Sequence, residues 1–494
     1  VKTLYFWRQR PLWLLTGFFL LGVLTRIPFR SQMLYHWDSV NFALALERFD
    51  VRLHQPHPPG YIIYILLGWL VNHLVRDPNA AYVWLSVLFS GLIVAAVFAL
   101  GWEMFGIEAG IAAGLFTLTS PAVWFYGEVA LTYILEAFFV TVIALAAYRT
   151  LRGGDGGRSV WVMTALMGIA GGIRQTTLVL LLPLWLLSLA RVSWRMRLGA
   201  AALLAGLVAA WLVPTVAFSG GLQEYLAAAR AIGGGVISGF ALLGKEPLWA
   251  PVGRLGIYIV YGLMGGAPLL VWWAIGPERT RQGEARKAQT WLLLFWLVPN
   301  LPYALLVRAP GHTFSFLPAL LVLSGAGAAT LRKVFRAGSL GHSWYYETLA
   351  VLLMVNVLFF LAAPPFLLGK NAVALTTPGR ATICYRDRSL ATRIAYIREH
   401  LLPDQAVILA SGLDFRHPDF YLREYPVVRF AELPVTMTLS LPDSVGTVVL
   451  FGEDLRGENC PTPNPGALVS PDLCLLSRRP DQTVVVERDV VRVR

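Results

Sequence analysis

Apolar residues gather in about a dozen long runs between Pro11 and Leu368, each closed by a short polar break, and then the pattern stops. The runs cover 11–28, 61–75, 81–102, 107–126, 129–148, 159–173, 175–190, 198–218, 254–276, 289–307, 312–331 and 346–368. Most approach the ~20 residues with which a helix crosses ~30 Å of hydrocarbon. The pattern predicts a mainly α chain, a polytopic membrane helical bundle over residues 1–370. From about Thr376 charge and proline rise and the runs shorten. There "SLATRIAYIREHL" places Leu390, Ile394, Ile397 and Leu401 on one helical face. "AVILAS" (406–411), "VGTVVLF" (445–451) and "TVVVERDVVRV" (483–493) read as strands. A small C-terminal α/β domain is therefore expected over 376–494, large enough to bury a core of its own.

Composition agrees with a membrane chain: 56% of residues are hydrophobic, 14% are charged and the mean hydropathy is +0.60, against about 25% charge in soluble domains. The net charge of +12 raises nucleic acid as a partner. Its distribution speaks against that, because the basic residues sit in short loops between runs, as the positive-inside rule requires. No nucleic-acid partner is expected.

Those loops also set sidedness. Lys2, Arg8 and Arg10 precede the first run, and no small-residue cleavage site follows it, so an uncleaved first span with a cytoplasmic N-terminus is expected. Basic loops at Arg149/Arg152/Arg158, Arg191/Arg195/Arg197, Arg279/Arg281/Arg286/Lys287 and Arg332/Lys333/Arg336 all fall inside only if one early run does not cross. The run 61–75 has only about 15 residues, short for a span, and follows Pro58–Pro59–Gly60, so it is read as a helix in the outer interface. About 11 spans result. The first outer loop (29–60), the turns at Glu128, at Arg174 and at Arg308–His312, the segment 219–253 and the C-terminal domain are then extracytoplasmic, on a multi-pass protein of the plasma membrane. Within 219–253, Leu222, Tyr225, Leu226 and Ala229 form an amphipathic stripe ahead of Gly233–Gly235, the composition of a hinge or of a plain loop. Among the three cysteines, Cys460 and Cys474 are candidates for a disulfide outside the cell.

The outer polar residues are where chemistry is expected. Asp38, ahead of a short apolar-faced helix over Ser39–Phe49, reads equally as its N-cap (or Ser39 does) and as a general base at the membrane face. Glu128 stands at a glycine break between two runs, where a carboxylate is costly unless hydrated, paired or functional. Glu136, two turns deeper, is placed to pair with a polar neighbour. Arg174 lies between two runs on the side that disfavours positive charge. A snorkelling residue is one reading; a fork for a phosphate is the one favoured here. His54 and His57 form H-x-x-H, but in a proline-rich loop and without a further ligand, so neither metal nor cofactor is expected, and a divalent ion lacks support.

In order along the chain, "WDSVNFALAL…HPPGYIIYILLGWL", "AAGLFTLTSPAVWFYGEVALTYILEAFFVTVIALAAYR", "GIAGGIRQTTLVLLLPLWL" and "GHTFSFLPALLVLSGAG" resemble the GT-C superfamily of membrane glycosyltransferases, over roughly residues 10–330. The likeness is nearest to protein O-mannosyltransferases and their bacterial relatives. Departures are Ser39 where many members have a second acid, Arg174 where several carry lysine, and His312 where arginine is common. The resemblance implies a GT-C-like fold and a lipid-linked donor, commonly a polyprenyl-phosphate sugar. It implies transfer with inversion to a hydroxyl acceptor on protein, lipid or polysaccharide at the outer face. It assigns Asp38 as the base, Glu128 as an acid orienting hydroxyls, and Arg174 to the donor phosphate, with His57, Arg308 and His312 lining the cavity. Two other readings compete: a flippase or transporter of lipid-linked saccharides, which internal inverted repeats would favour, and a polysaccharide ligase of another fold. A non-catalytic scaffold is a third.

Overall fold

The computed structural model describes residues 12–153, 155–231, 247, 249–276, 283–306, 310–337, 341–365, 367, 377–431, 433–452, 454–457 and 473–494. By packing, the chain divides into two units: residues 1–30, 50–53 and 58–382 form the first, and residues 31–49, 54–57 and 383–494 the second.

Among the described residues the regular structure of the first unit is helical, and its helices fall on the apolar runs. They span Leu12–Leu24, Ile62–Val75, Pro78–Phe105, Ile107–Thr119, Pro121–Tyr126, Tyr133–Arg152, Arg158–Ile173, Gln175–Leu189, Trp194–Phe218, Trp249–Leu263, Ala267–Ile275, Glu284–Leu306, Leu317–Ala337 and Gly341–Ala362. Among the described residues seven helical stretches are long and apolar enough to cross a membrane: Leu12–Phe29, Pro78–Phe105, Tyr133–Arg152, Trp194–Phe218, Trp249–Ile275, Leu317–Arg336 and Ser343–Ala362. Four further apolar helices are shorter: Ile62–Val75, Ile107–Thr119, Arg158–Ile173 and Gln175–Leu189. Leu20, Leu24, Val179, Leu186, Val213 and Leu358 are exposed on helix flanks, as hydrocarbon requires and water does not.

Without a hydrophobic drive between helices in lipid, close association relies on small residues. The 12–24 and 78–105 helices show this. A Cβ added at Gly22 would stand 2.6 Å from the Cα of Gly91, so the two backbones touch. The 62–75 helix has 14 residues, about 21 Å at 1.5 Å per residue, less than the ~30 Å of hydrocarbon. It buries Tyr64, Ile65 and Gly68 and leaves Leu66, Trp69, Leu70 and Leu74 exposed.

The second unit layers one helix and two sheets. The helix Arg380–His400, whose first turn still belongs to the other unit, lies against a four-stranded sheet of order β2-β1-β4-β6. Here β1 is Ala406–Ser411, β2 Val427–Phe430, β4 Thr447–Phe451 and β6 Cys474–Ser477. β1 pairs in parallel with β2 and β4, and β6 closes the edge antiparallel to β4. Alternation places side chains on both faces. Ala406, Ile408 and Ala410 meet Leu390, Ile394 and Ile397 of the helix. Val407 and Leu409 meet Leu439, Val484, Val486 and Val491 of a second sheet, of order β3-β7-β8-β5. Its strands are β3 (Met437–Leu439), β5 (Arg456–Gly457), β7 (Val484–Glu487) and β8 (Val490–Val493). The strand expected over 483–493 is thus a hairpin, turning at Arg488, whose φ is +55°, and Asp489. Two charged residues in a valine run admit that turn. Cys474 is disulfide-bonded and Cys384 is free; Cys460 lies outside the described residues.

Candidate active site

The loop that opens "YHWDSVNF" folds with the second unit. Its helix is Trp37–Ala45, and the cap is His36, not Asp38 or Ser39. His36 Nδ1 accepts the Asp38 N–H at 3.1 Å, and Ser39 Oγ accepts the His36 N–H at 3.3 Å, a reciprocal capping box. Asp38 sits one residue inside the helix, so its carboxylate is not used as the cap. Asp38 Oδ1 lies 3.3 Å from His57 Nδ1 and Oδ2 lies 3.4 Å from His36 Nδ1. Because His36 Nδ1 is already an acceptor, it does not donate to the carboxylate; His57 Nδ1 is the nearer nitrogen, at ion-pair distance but without hydrogen-bond geometry. Trp37 packs on His57, ring centroids 5.4 Å apart, and Phe42 backs the same imidazole at 5.7 Å. His54 holds a left-handed backbone and is exposed, so the H-x-x-H spacing does not bring two imidazoles to one ligand position.

The C-terminal part of the unit grips this loop. Asp387 accepts from Ser31 Oγ, Gln32 N and Met33 N at 2.7, 2.7 and 3.1 Å. Leu34 donates its N–H to Tyr421 Oη, and its carbonyl lies 2.7 Å from His417 Nε2. Arg386 donates to the Tyr35 carbonyl and Arg416 to Asn41 Oδ1, each at 3.0 Å. Behind these contacts lies a buried charge cluster. Asp414 takes Arg386 on one oxygen and Arg393 on the other, both at 2.6 Å. Burial alone would push the Asp414 carboxyl up, but the two guanidiniums override it and hold it far below the carboxylate range. Burial pushes the neighbouring His417 down to about 4.

In the first unit Arg174 ends one helix and begins the next, in extended backbone between Ile173 and Gln175. It is buried, and every arm of its guanidinium is engaged. Nε lies 3.0 Å from Glu136 Oε2, Nη1 donates to Thr132 Oγ1 at 3.0 Å and Nη2 to His312 Nδ1 at 2.7 Å. The plane stands over Tyr133, 4.7 Å from its centroid. Tyr303 Oη also reaches His312 Nδ1, at 2.5 Å. A guanidinium only donates, so His312 Nδ1 is an acceptor from Arg174. Arg174 and His312, far apart in sequence, are therefore brought together, and Glu136 is the arginine's counterion. Arg308 lies outside the described residues.

Glu128 has no solvent contact, and neither carboxylate oxygen has a hydrogen-bond partner among the described residues. The charge acting on it is Arg26, also fully buried, which donates to Thr25 Oγ1 and the Leu118 carbonyl and lies over the Trp124 ring. The sequence reading missed Arg26; an arginine that closes the first apolar run was the available signal. It missed His36, Tyr303 and the Asp414 cluster as well, for which no local pattern exists. Among the described residues no group of three His, Cys, Asp or Glu side chains is placed to hold a metal ion.

The comparisons with known proteins bear on this arrangement. The family model described as the Protein O-mannosyl-transferase TMEM260 N-terminal domain matches residues 48–198. ArnT from Cupriavidus metallidurans, in a crystal structure bound to undecaprenyl phosphate, shares the fold at a TM-score of 0.51 and 14% identity, over 85% of this chain and 86% of that one. An oligosaccharyltransferase of Archaeoglobus fulgidus, tethered to an acceptor peptide, aligns at a TM-score of 0.48 and 12% identity, over 88% of this chain and 69% of that one. No curated protein sequence matches. The chain thus shares the fold of ArnT, a multi-helix arrangement with several helices long enough to cross a membrane, and residues 48–198 are similar to an O-mannosyltransferase domain.

Proposed function

We propose that the chain moves a sugar from a polyprenyl-phosphate donor to an acceptor hydroxyl at the outer membrane face, in one displacement with inversion. The observation that carries the reading is Asp38: His36 does the capping, and the carboxylate stands partly exposed with His57 at 3.3 Å. Asp38 accepts the proton of the acceptor hydroxyl while its oxygen bonds to the anomeric carbon; the bond to phosphate breaks and the phosphate leaves with the electron pair. Arg174 binds the phosphate and stabilises the charge that gathers on it. To do so it exchanges a neutral partner, Thr132 or His312, while Glu136 keeps the side chain in place. Glu128 orients a sugar or acceptor hydroxyl, since its buried oxygens lack partners. His57 and His312 act as positioning residues, and Arg308 as a further lining residue. The donor lipid is supported by the undecaprenyl phosphate bound to ArnT. The basic loops support a cytoplasmic N-terminus and an extracytoplasmic C-terminal domain in the plasma membrane.

The test uses purified protein in lipid, a panel of radiolabelled polyprenyl-phosphate sugars and a cell-envelope extract as acceptor source. Transfer or slow hydrolysis that Asp38→Asn and Arg174→Ala both abolish names the donor and supports the reading. Full transfer by a folded Asp38→Asn protein removes the base, and label crossing the bilayer without turnover replaces the enzyme with a flippase.

A further inference from the structure

A cavity of the first unit lies away from these residues. It has a volume of about 590 Å³ and is enclosed by the ends of the 78–105, 107–119, 267–275, 284–306 and 317–337 helices. Arg149, in the last turn of the 133–152 helix, pairs with Glu103 beside it. Glu136, the partner of Arg174, is in the first turn of that helix. They stand 13 positions apart, about 20 Å at 1.5 Å per residue, so cavity and arginine site belong to opposite ends of the bundle.

Among the described residues, Arg286, Lys333 and Arg336 line the cavity together with one carboxylate, Glu108. Glu108 is taken up by Arg332, with Arg336 only at 4.0 Å. Trp273 and Ile107 give an apolar wall, and Ile107 and Ile275 are exposed at the same end. A cationic rim over an apolar wall, open between helix ends at a membrane face, matches a phosphate group carrying acyl chains. The pairing of charge with apolar wall favours a lipid over a free anion.

We propose that this cavity is a binding site for the phosphate headgroup of an anionic phospholipid, distinct from the sugar donor and at the opposite end of the bundle. The bound headgroup ties the 284–306 helix, through Arg286, to the 317–337 helix, through Lys333 and Arg336.

The test is thermal unfolding of the purified full chain in a zwitterionic detergent, titrated with short-chain phosphatidylglycerol, phosphatidylcholine or inorganic phosphate. Phosphatidylglycerol is expected to raise the midpoint saturably and phosphatidylcholine to leave it in place. Lys333→Gln/Arg336→Gln should lose that shift while its lipid-free midpoint matches wild type. Arg286→Gln, which keeps the other two cations, should weaken apparent binding about tenfold and carries the test alone if the double variant does not fold. Equal shifts from both phospholipids, or a full shift in the variants, would overturn the site. A shift from inorganic phosphate as large as that from phosphatidylglycerol would overturn the lipid assignment.

Discussion

Arg174 Nε lies 3.0 Å from Glu136 Oε2, and both side chains are almost without solvent contact. Breaking a buried pair by removing one partner costs about 3–5 kcal/mol, because the other charge is left uncompensated. Glu136→Ala should therefore lower stability by about that amount. The double variant Glu136→Leu/Arg174→Met should recover much of it and still transfer no sugar. Thermal unfolding with a transfer assay on the same preparations separates the arginine's structural role from its chemical one; recovery of transfer in the double variant would end the phosphate assignment.

Asp38→Asn should leave folding intact and lower transfer by roughly 10²–10⁴, the range general-base catalysis supplies. His57→Ala should cost less, and His57→Gln less still, because glutamine can place a donor toward the carboxylate. The ranking of initial rates among the three is the readout. Equal losses for His57→Ala and His57→Gln would show that the ring, and not a donor beside the carboxylate, is what Asp38 needs.

The charge cluster under the Asp38 loop makes the second unit acid-sensitive. His417 titrates at about 4 in the folded chain against its ordinary 6.5. Between those values the unfolded chain binds the extra proton, so stability is full above about 6.5 and falls as the pH drops toward about 4. The shift amounts to about 3 kcal/mol at 1.36 kcal/mol per pH unit. Asp414 adds to the loss as the pH falls through and below the ordinary carboxylate range, where the unfolded chain takes up a proton that the folded one does not. Hydrogen exchange of residues 31–49 and 406–411 should quicken over that window in wild type and change less with pH in His417→Gln.

Close approach of the 12–24 and 78–105 helices should not survive a side chain at the crossing. Gly22→Val is expected to destabilise by about 1–3 kcal/mol, as overpacking does, read as a lower midpoint in detergent. Gly17→Val is the control, since a Cβ there meets nothing within 4 Å.

Helix positions in the bundle were legible because lipid imposes them: a backbone in hydrocarbon satisfies its hydrogen bonds internally, and a run of apolar residues leaves little alternative. Asp38, His57, Arg174 and His312 were legible as polar exceptions in that context. Their partners were not. Arg174 meets His312 through 138 residues of intervening chain, and nothing in either segment announces the other. The short strands β2, β3, β5 and β6 lack a pattern long enough to stand out; β5 has two residues and takes its form from β8. His36 as the cap was missed because imidazole is seldom the side chain that closes a capping box.

The packing of residues 31–49 with 383–494 has a consequence for the order of synthesis. The Asp38 loop leaves the ribosome early, but the contacts at Leu34 and Tyr35 are made by residues 351 to 387 positions later. At ~5–20 residues per second that is a delay of roughly 20–70 s, during which the membrane helices can already assemble. Until the last quarter of the chain arrives, the loop has no partner to set its shape. A nascent chain that has not reached residue 383 thus carries the Asp38 loop without the contacts that shape it.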